Sequence, residues 1–203
     1  MTLPLNRHIL VIEKGEYMNA KEKIMMSALS LFNEHGCNGT SIKMIIDESG
    51  VSNGGLYHHF KTKEKIVYDL YNQVKTDMLE YLTASIGDAK TTRETFRRLW
   101  TAQIEWSLNN WKKKKFIDYI TYSHFINKFH SEEVVAKYEQ VFKVLFEAME
   151  NGEIITVDKK YFGFDFMGNI GAVIAYIKLK PENNNQIFID FTFKKYWRSI
   201  VNI

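Results

Sequence analysis

Cysteine and proline are almost absent from this chain of 203 residues, which has one cysteine, Cys37, and two prolines. A single cysteine excludes an internal disulfide framework and suits a reducing, cytoplasmic environment. The few prolines, together with only 11 glycines, favour long helices over a turn-rich β architecture. No uninterrupted apolar run approaches the roughly 18 residues that a membrane span requires, so no membrane partner is expected.

The residue patterns of common enzyme and metal sites are also missing. The sequence has no nucleophile–base pair, phosphate-binding loop or carboxylate dyad at credible spacing. His124 and His130 are six residues apart, so they do not share a helix face, and no Cys/His cluster joins them. We therefore expect no enzymatic activity, no metal and no cofactor.

The composition provides ample material for a folded core. Hydrophobic residues make up 45% of the chain, aromatic residues 14% and charged residues 25%, which is ordinary for a soluble globular protein. The formal net charge of +3 is compatible with a polyanionic partner but does not require one.

The first 17 residues differ from the rest. Polar residues interrupt their short apolar patch, so it does not form the hydrophobic region of a signal peptide. The codons for Lys14 to Met18 can contain AAGGAG, a ribosome-binding sequence, just ahead of an ATG. We therefore expect Met18 to be the natural start and residues 1–17 to be a leader, which mass spectrometry of the native protein would test.

Apolar residues recur at helical spacing along the remaining chain, so the predicted fold class is all-α. Expected helix boundaries come from capping residues, for example Ser52 and Thr62 at N-termini and Gly36 and Gly50 at C-termini. Helices are predicted at residues 19–35, 42–49, 52–59, 62–87, 92–110, 113–128, 132–151, 158–180 and 182–201.

Residues 40–60 have the pattern of a helix-turn-helix. Two short helices meet at a turn that contains Gly50, which can adopt the positive φ such a turn needs, and Val51, whose side chain pins the turn. The apolar positions of this segment are expected to bury together against the first helix; they are Ile42, Ile45, Ile46, Leu56 and Phe60, packed on Leu31 and Phe32.

The second short helix is expected to present a polar arc to DNA. At about 100° per residue, this arc collects Asn53, Gly54, Tyr57, His58 and Lys61. Leu56 and His59 are expected on the opposite side. Asparagine can pair with an adenine edge, histidine can donate to a base or a phosphate, and glycine lets the backbone approach the duplex.

Further residues are placed for the phosphate backbone, where contacts fix the register without reading the sequence. These are Thr40, Ser41, Tyr57 and Lys63. Ser52 and Gly55, at the start of the second short helix, complete the expected DNA-binding set.

At this point the sequence resembles the TetR (tetracycline-repressor) family. The residues that carry the resemblance, over about a quarter of the chain, are Ala28, Leu31, Phe32, Gly36, Thr40, Ser41, Ile45, Gly50, Val51, Ser52, Gly54, Leu56, Tyr57, His59, Phe60, Lys63 and Glu64. Ile46 and Ser49 depart from the alanine usual in the family, and Ile66 from the usual leucine. Each departure is a tolerable change in the core or on a helix surface.

The resemblance implies a domain organisation and a mode of regulation. Residues 18–65 would form a three-helix DNA-binding domain, and residues 66–203 a helical effector-binding and dimerisation domain. Members of the family are homodimers in which a small molecule changes the separation of the two recognition helices and releases the operator. The last two helices usually form a four-helix bundle in the dimer.

The segment 162–179 offers small residues through which another helix can approach closely. They are Gly168, Gly171, Ala172 and Ala175. These positions suit either a homodimer face or a buried contact within one chain. Phe191 and Trp197, in the helix that follows, would complete the bundle.

An aromatic-rich set with scattered polar groups forms the candidate effector pocket. Its members are Trp100, Gln103, Trp106, Ser107, Tyr119, Tyr122, Phe125, Tyr138, Phe142 and Phe166. Such a lining suits an apolar or aromatic ligand, although aromatic residues at helical spacing also serve as plain core. The lysine run 112–115 is read as a solvated surface, with contact to an anionic ligand or to DNA as the alternative.

The sequence therefore predicts a ligand-responsive repressor that binds a near-palindromic operator as a homodimer. An activator or a ligand-independent regulator would bind DNA in the same way, so both stay open as alternatives. A different class, a helical interaction module whose DNA-binding head is vestigial, stays open as well.

Overall fold

The structure is a computed structural model that describes residues 18–123 and 131–202. Residues 1–17, which include the expected leader, and Phe125 of the expected effector set lie outside the described residues. Within the described ranges the chain forms α-helices and no β-strand, apart from one isolated bridge between Ile154 and Val201. The helices are α1 (Ala20–Gly39), α2 (Ile42–Ser49), α3 (Asn53–His59), α4 (Lys63–Ile86), α5 (Thr92–Asn109), α6 (Trp111–Thr121), α7 (Glu132–Glu150), α8 (Lys159–Leu179) and α9 (Gln186–Ile200).

The chain divides into two compact units, one ending at Val67 and the other beginning at Tyr68. This division falls inside α4, two residues after the predicted domain boundary.

Local capping explains the helices of the first unit. Asn19 and Glu22 form a reciprocal capping box at the start of α1, each side chain accepting from the backbone N–H of the other residue. Regular helical geometry is interrupted at Gly36, which has φ 72°, at the stop expected from the sequence. Ile24, Ala28 and Phe32 lie on the buried side of this helix.

The helix-turn-helix follows the same logic. Ser41 caps α2 by accepting from the Met44 N–H at 3.2 Å, and Gly50 ends it with φ 65°. Ser52 caps α3 by accepting from the Gly55 N–H at 3.1 Å. In this region, Ile45, Leu56 and Phe60 have no exposed surface. Burying a large apolar side chain contributes about 1.5–3 kcal/mol to the free energy of unfolding.

The second unit is built around an aromatic core where α5, α8 and α9 meet. Phe96 contacts Phe166 with ring centroids 5.4 Å apart, and Trp100 stacks on Tyr196 at 5.1 Å. The Tyr196 hydroxyl donates to Asp165 Oδ2 at 2.6 Å. This bond provides a partner for a polar group that would otherwise be costly to bury.

Three helices differ from their predicted bounds by about four residues or more. One is α1, which continues past the expected end at residue 35 to Gly39, beyond the interruption at Gly36. α6 ends at Thr121 rather than near residue 128, because Ser123 donates from its backbone N–H and its hydroxyl to the Ile120 carbonyl. α9 begins at Gln186 rather than near residue 182. A 3₁₀ turn occupies Pro181–Asn183, and Asn185 then caps α9 by accepting from the Phe188 N–H at 3.0 Å.

The helix α8 is the most apolar of the long helices in the described residues. Its 21 residues are long and apolar enough to cross a membrane by length and composition only, and part of the helix is buried within the protein. A core helix of a soluble protein can have the same length and composition. Asp165 and Asn169 interrupt its apolar sequence.

Candidate DNA-binding surface

The helix α3 is anchored on one side and open on the other. Leu56 has no exposed surface, and its burial holds this short helix against the rest of the first unit. The polar arc opposite is exposed, as the sequence predicts: Asn53, Gly54, Tyr57, His58 and Lys61. Tyr57 keeps 41% of its surface accessible, so an aromatic ring and a phenolic hydroxyl are available to a partner.

His59 is expected from the sequence to point away from this arc, but it is exposed. It is the last residue of α3, and its ring lies 5.1 Å from that of His58 in an edge-to-face arrangement. No carboxylate occurs between residues 52 and 62. The exposed end of α3 therefore carries the two imidazoles and is followed by the Lys61 ammonium, with no Asp or Glu in this stretch of the sequence.

The two glycines of α3 have different surroundings. A Cβ atom at Gly54 would meet nothing within 4 Å, whereas one at Gly55 would lie 2.9 Å from Val51 Cγ1. Gly55 is thus needed for packing inside the turn. Gly54 has open space in front of it, so its lack of a side chain leaves the backbone accessible to a duplex.

Thr40 does not have the predicted phosphate-facing position. Its side chain is buried, with 1% of its surface exposed, and its hydroxyl donates to the Gly36 carbonyl at 2.9 Å. Lys63 Nζ donates to the Thr40 carbonyl at 2.9 Å. Thr40 therefore holds the α1–α2 connection together, and Lys63 has one of its three protons already engaged.

Ser41 and Ser52 remain placed for phosphate oxygens. Both are exposed, and each uses its hydroxyl oxygen as an acceptor in a helix cap. A hydroxyl in this role keeps its own proton for donation. The two short helices thus present two hydroxyl donors on the same unit as the α3 arc.

The expected effector set separates into buried and exposed members. Trp100, Gln103, Trp106, Ser107, Phe142 and Phe166 are buried, and Tyr138 is half-buried. Tyr119 and Tyr122 are 40% and 68% exposed. These two side chains therefore do not belong to the buried part of the set, because α6 presents Tyr119 outward and Tyr122 follows the end of that helix.

The buried part of this set contains an unsatisfied polar group. Gln103 Nε2 donates to Ser107 Oγ at 3.2 Å, but Gln103 Oε1 is buried and has no hydrogen-bond partner among the described residues. A buried amide oxygen without a partner costs about 1–3 kcal/mol. The interior between α4 and α5 thus holds an acceptor that a ligand donor would satisfy.

The small residues of α8 lie on an exposed face. Gly168, Ala172 and Ala175 are exposed and Gly171 is half-buried, and a Cβ atom at either glycine would meet nothing within 4 Å. The two helices meet on this side at Tyr176 and Phe188, whose ring centroids are 5.4 Å apart. Large exposed apolar side chains occur on both helices; they are Phe164, Tyr176, Leu179, Ile187 and Phe191. We call this surface the α8–α9 face.

Trp197 is not part of the α8–α9 face, contrary to expectation. Only 8% of it is exposed, and its ring lies 6.1 Å from Phe96 and 6.2 Å from Phe193. Tyr176 and Leu179 belong to the face but are not among the residues expected from the sequence. A helical wheel centred on the small residues identifies them, since they lie four residues after Ala172 and Ala175.

The lysine run 112–115 is not uniformly solvated. Lys114 is buried, with 4% of its surface exposed, and forms an ion pair with Asp118 one turn further along α6. Lys113 pairs with Asp77 at 2.9 Å. Burial lowers the pKa of the neighbouring Lys75 to about 8, Asp118 opposes this shift, and Lys114 adds to it.

Comparison with known proteins gives matches to part of the chain. Residues 24–70 match the model of the bacterial regulatory proteins of the tetR family. The HTH-type transcriptional regulator QacR of Staphylococcus aureus is 38% identical over 79 residues, which cover 39% of this chain and 42% of that protein. The HTH-type transcriptional repressor KstR2 of Mycolicibacterium smegmatis is 34% identical over 62 residues, covering 30% of this chain and 28% of that one. The chain thus matches less than half the length of these curated relatives.

Solved structures resemble the chain over most of its length. A tetR family transcription regulator from Shewanella sp. PV-4 superposes with a TM-score of 0.79 at 24% identity, covering 92% of this chain and 100% of that one. A TetR family transcription regulator from Marinobacter aquaeolei VT8 superposes with a TM-score of 0.78 at 17% identity, covering 91% of this chain and 96% of that one. At these identities the likeness concerns the fold.

Proposed function

We propose that this chain is a member of the tetR family of bacterial regulatory proteins, a cytoplasmic transcriptional repressor that binds operator DNA as a homodimer and is released by a small molecule. The observation that carries this proposal is the exposed polar arc of α3, which sits on a helix anchored by Leu56 within a matching family domain. Repression is favoured over activation because KstR2 is named a repressor.

In this proposal α3 enters the major groove. Asn53, Tyr57 and His58 discriminate between bases, since amide, phenol and imidazole groups match the donors and acceptors of base edges. Ser41, Ser52 and the ammonium groups of Lys61 and Lys63 bind phosphates. Because each neutralised phosphate releases counterions, affinity falls steeply with salt.

The α8–α9 face supports the homodimer. Phe164, Leu179, Ile187 and Phe191 each leave between 47% and 85% of their surface exposed, and apolar patches of this kind mark interfaces. The open space at Gly168 and Gly171 lets a partner helix approach closely. In the dimer the two α3 helices would read half-sites about 34 Å apart on one side of a near-palindromic operator.

The effector is proposed to bind in the interior of the second unit, between the buried aromatic residues and Gln103. An apolar or aromatic molecule with one hydrogen-bond donor fits this lining, because the donor would satisfy Gln103 Oε1. Release of DNA requires that the molecule bind the DNA-incompetent conformation more tightly than the competent one.

A selection experiment tests the DNA-binding assignment and yields the operator sequence at the same time. A binding sequence is selected from a randomised duplex library with the wild-type protein, and affinities are then measured by mobility shift. Replacing Tyr57 and His58 together with alanine should weaken binding to the selected site at least about 30-fold, since each good base contact contributes about 1–3 kcal/mol.

The matched control is Tyr119→Ala, which removes an equally exposed tyrosine from the second unit. It should bind like the wild type. Unchanged, sequence-selective binding by the double variant would contradict the assigned surface, and absence of any selected sequence would favour a vestigial DNA-binding head.

A further inference from the structure

A cationic groove lies in the second unit between the beginning of α5 and α9. It consists of two adjoining cavities of about 270 and 510 Å³, both lined by Arg93 and Lys194. None of the residues assigned to DNA or effector binding lines it. Cavities of this size are comparable with small-molecule sites.

The floor of the groove is apolar and already packed. Phe193 and Trp197 line it from α9, and both rings contact Phe96 of α5 with centroids 6.1 Å apart. Phe193 is 2% exposed and Trp197 8% exposed. Because these rings belong to the aromatic core, a ligand would meet a preformed surface.

The rim of the groove carries more positive than negative charge. Four cations line it: Arg93, Arg97, Lys194 and Arg198. Arg97 is near Asp190, with its guanidinium nitrogen 3.6 Å from a carboxylate oxygen. The side chains of the other three are exposed and form no ion pair or hydrogen bond with any residue in the described ranges.

The remaining carboxylate of the groove, Glu94, is already engaged. It accepts from the Lys90 N–H at 3.1 Å and from Arg98 at 2.7 Å, and these two contacts, the Lys90 bond first, lower its pKa. Its charge is therefore compensated outside the groove. Three unpaired cations around one groove repel one another, and an anion between them removes this repulsion.

We propose that this groove is a second ligand site, which binds a small organic phosphate with an aromatic or other flat apolar body. The phosphate lies between Arg93, Lys194 and Arg198, and the body rests on Phe193 and Trp197. Phosphate is favoured over carboxylate because it carries about two charges at neutral pH and offers three acceptor oxygens to several cations at once. Arginine in particular matches phosphate geometry with two parallel N–H donors.

The test uses the full chain, no DNA, and 1-naphthyl phosphate as the probe in isothermal titration calorimetry. The probe should bind with a dissociation constant below about 1 mM. It should bind more tightly than inorganic phosphate, which lacks the apolar body, and than 1-naphthol, which lacks the charge. Because the rim is exposed, affinity should weaken as potassium chloride is raised from about 50 to 300 mM.

The triple variant Arg93→Gln, Lys194→Gln, Arg198→Gln should weaken probe binding at least about tenfold. It removes exposed side chains without partners among the described residues, so its melting temperature should stay close to that of the wild type. Lys195→Gln is the matched control, because Lys195 is an exposed neighbour on α9 that does not line the groove.

Three results would overturn the proposal. Equal affinity of the triple variant and the wild type would place the probe elsewhere. If 1-naphthoate bound as tightly as 1-naphthyl phosphate, the site would have no preference for phosphate. If 1-naphthol bound as tightly as 1-naphthyl phosphate, the site would be an apolar patch that does not recognise the anion. Because no step involves DNA, the outcome is independent of the operator experiment.

Discussion

Gly54 and Gly55 are adjacent in α3, yet they face different parts of the molecule. Gly54 faces open space, and Gly55 faces Val51 and the Ser52 hydroxyl. Sequence spacing alone assigned both to the DNA-binding set. The structure separates a glycine that permits close approach of a partner from one that permits packing inside the turn.

This contrast predicts opposite effects of two single-methyl substitutions. Gly54→Ala should leave the first unit as stable as the wild type or raise its free energy of unfolding by about 0.5–1 kcal/mol, since alanine favours a helix. It should nevertheless weaken operator binding. Gly55→Ala should lower stability by about 1 kcal/mol, because overpacking against Val51 outweighs the gain in helix propensity.

Urea unfolding and mobility shift on the same two variants measure both quantities. Equal stability of the two variants would show that Val51 moves aside without cost. Wild-type affinity of Gly54→Ala would show that no DNA backbone approaches this position.

At the scale of elements, α4 and α6 bring two lysines and one aspartate together in the second unit. Lys114 is paired with Asp118, while Lys75 interacts with both. Removing a charge from water is costly unless a partner compensates it. Because one carboxylate serves two ammonium groups, Lys75 is the group whose charged form is disfavoured.

This arrangement predicts a rise in stability with pH. Burial lowers the pKa of Lys75 to about 8 in the folded state, whereas a lysine in the unfolded chain titrates near 10.4. Between these values the unfolded state binds more protons, so the free energy of unfolding of the second unit should increase with pH. We expect this increase in the free energy of unfolding to be roughly 1–3 kcal/mol between the two pKa values, and Lys75→Met should abolish it.

The comparison is made by urea unfolding of both proteins between pH 7.5 and 10.5. Burial raises the pKa of Cys37 to about 11, which lowers stability at the upper end of this range in both proteins and cancels in the difference. Lys143→Met is the control, since that lysine is 71% exposed. A parallel pH dependence of wild type and Lys75→Met would contradict the assignment.

At the scale of the whole molecule, the apolar helix α8 needs an explanation for its exposed side. One side packs in the core through Phe166, Ile170 and Ile174, while the other side is part of the α8–α9 face. Stable dimers bury about 800 Å² of each partner. A second copy of the chain, placing α8 and α9 against their counterparts, is the occupant that the proposed function favours.

We therefore predict that Ile187→Glu combined with Phe191→Glu converts the proposed dimer to a monomer in sedimentation velocity. Both side chains are more than half exposed, so the fold of each chain should persist in circular dichroism. Operator affinity should fall at least about 100-fold, because the two half-sites are then bound independently.

Tyr122→Glu, at an exposed position outside the face, should remain dimeric. A wild-type protein that is monomeric at micromolar concentration, or a double variant that stays dimeric, would contradict the proposed interface.

The local chemistry of the chain determined much of this structure. Ser41, Gly50 and Ser52 set the limits of the two short helices, because caps and left-handed glycines act over one turn and can be read from neighbouring residues. Helical spacing likewise identified the exposed arc of α3 and the small residues of α8. The helix-turn-helix residue pattern identified the two short helices for the same reason, since it lies in one short, continuous segment.

Only the tertiary structure decided which side chains are free to act. Thr40 and Ser41 are neighbours with similar hydroxyls, but packing buries the first and leaves the second exposed. Trp197 is buried in the core and Tyr119 is exposed on the surface. Lys114, alone in its run of four lysines, is buried and pairs with Asp118. The cationic groove joins residues about 100 positions apart, Arg93 on α5 and Lys194 and Arg198 on α9. Burial and long-range proximity depend on how helices pack, and helical periodicity carries no information about which helix will be the neighbour.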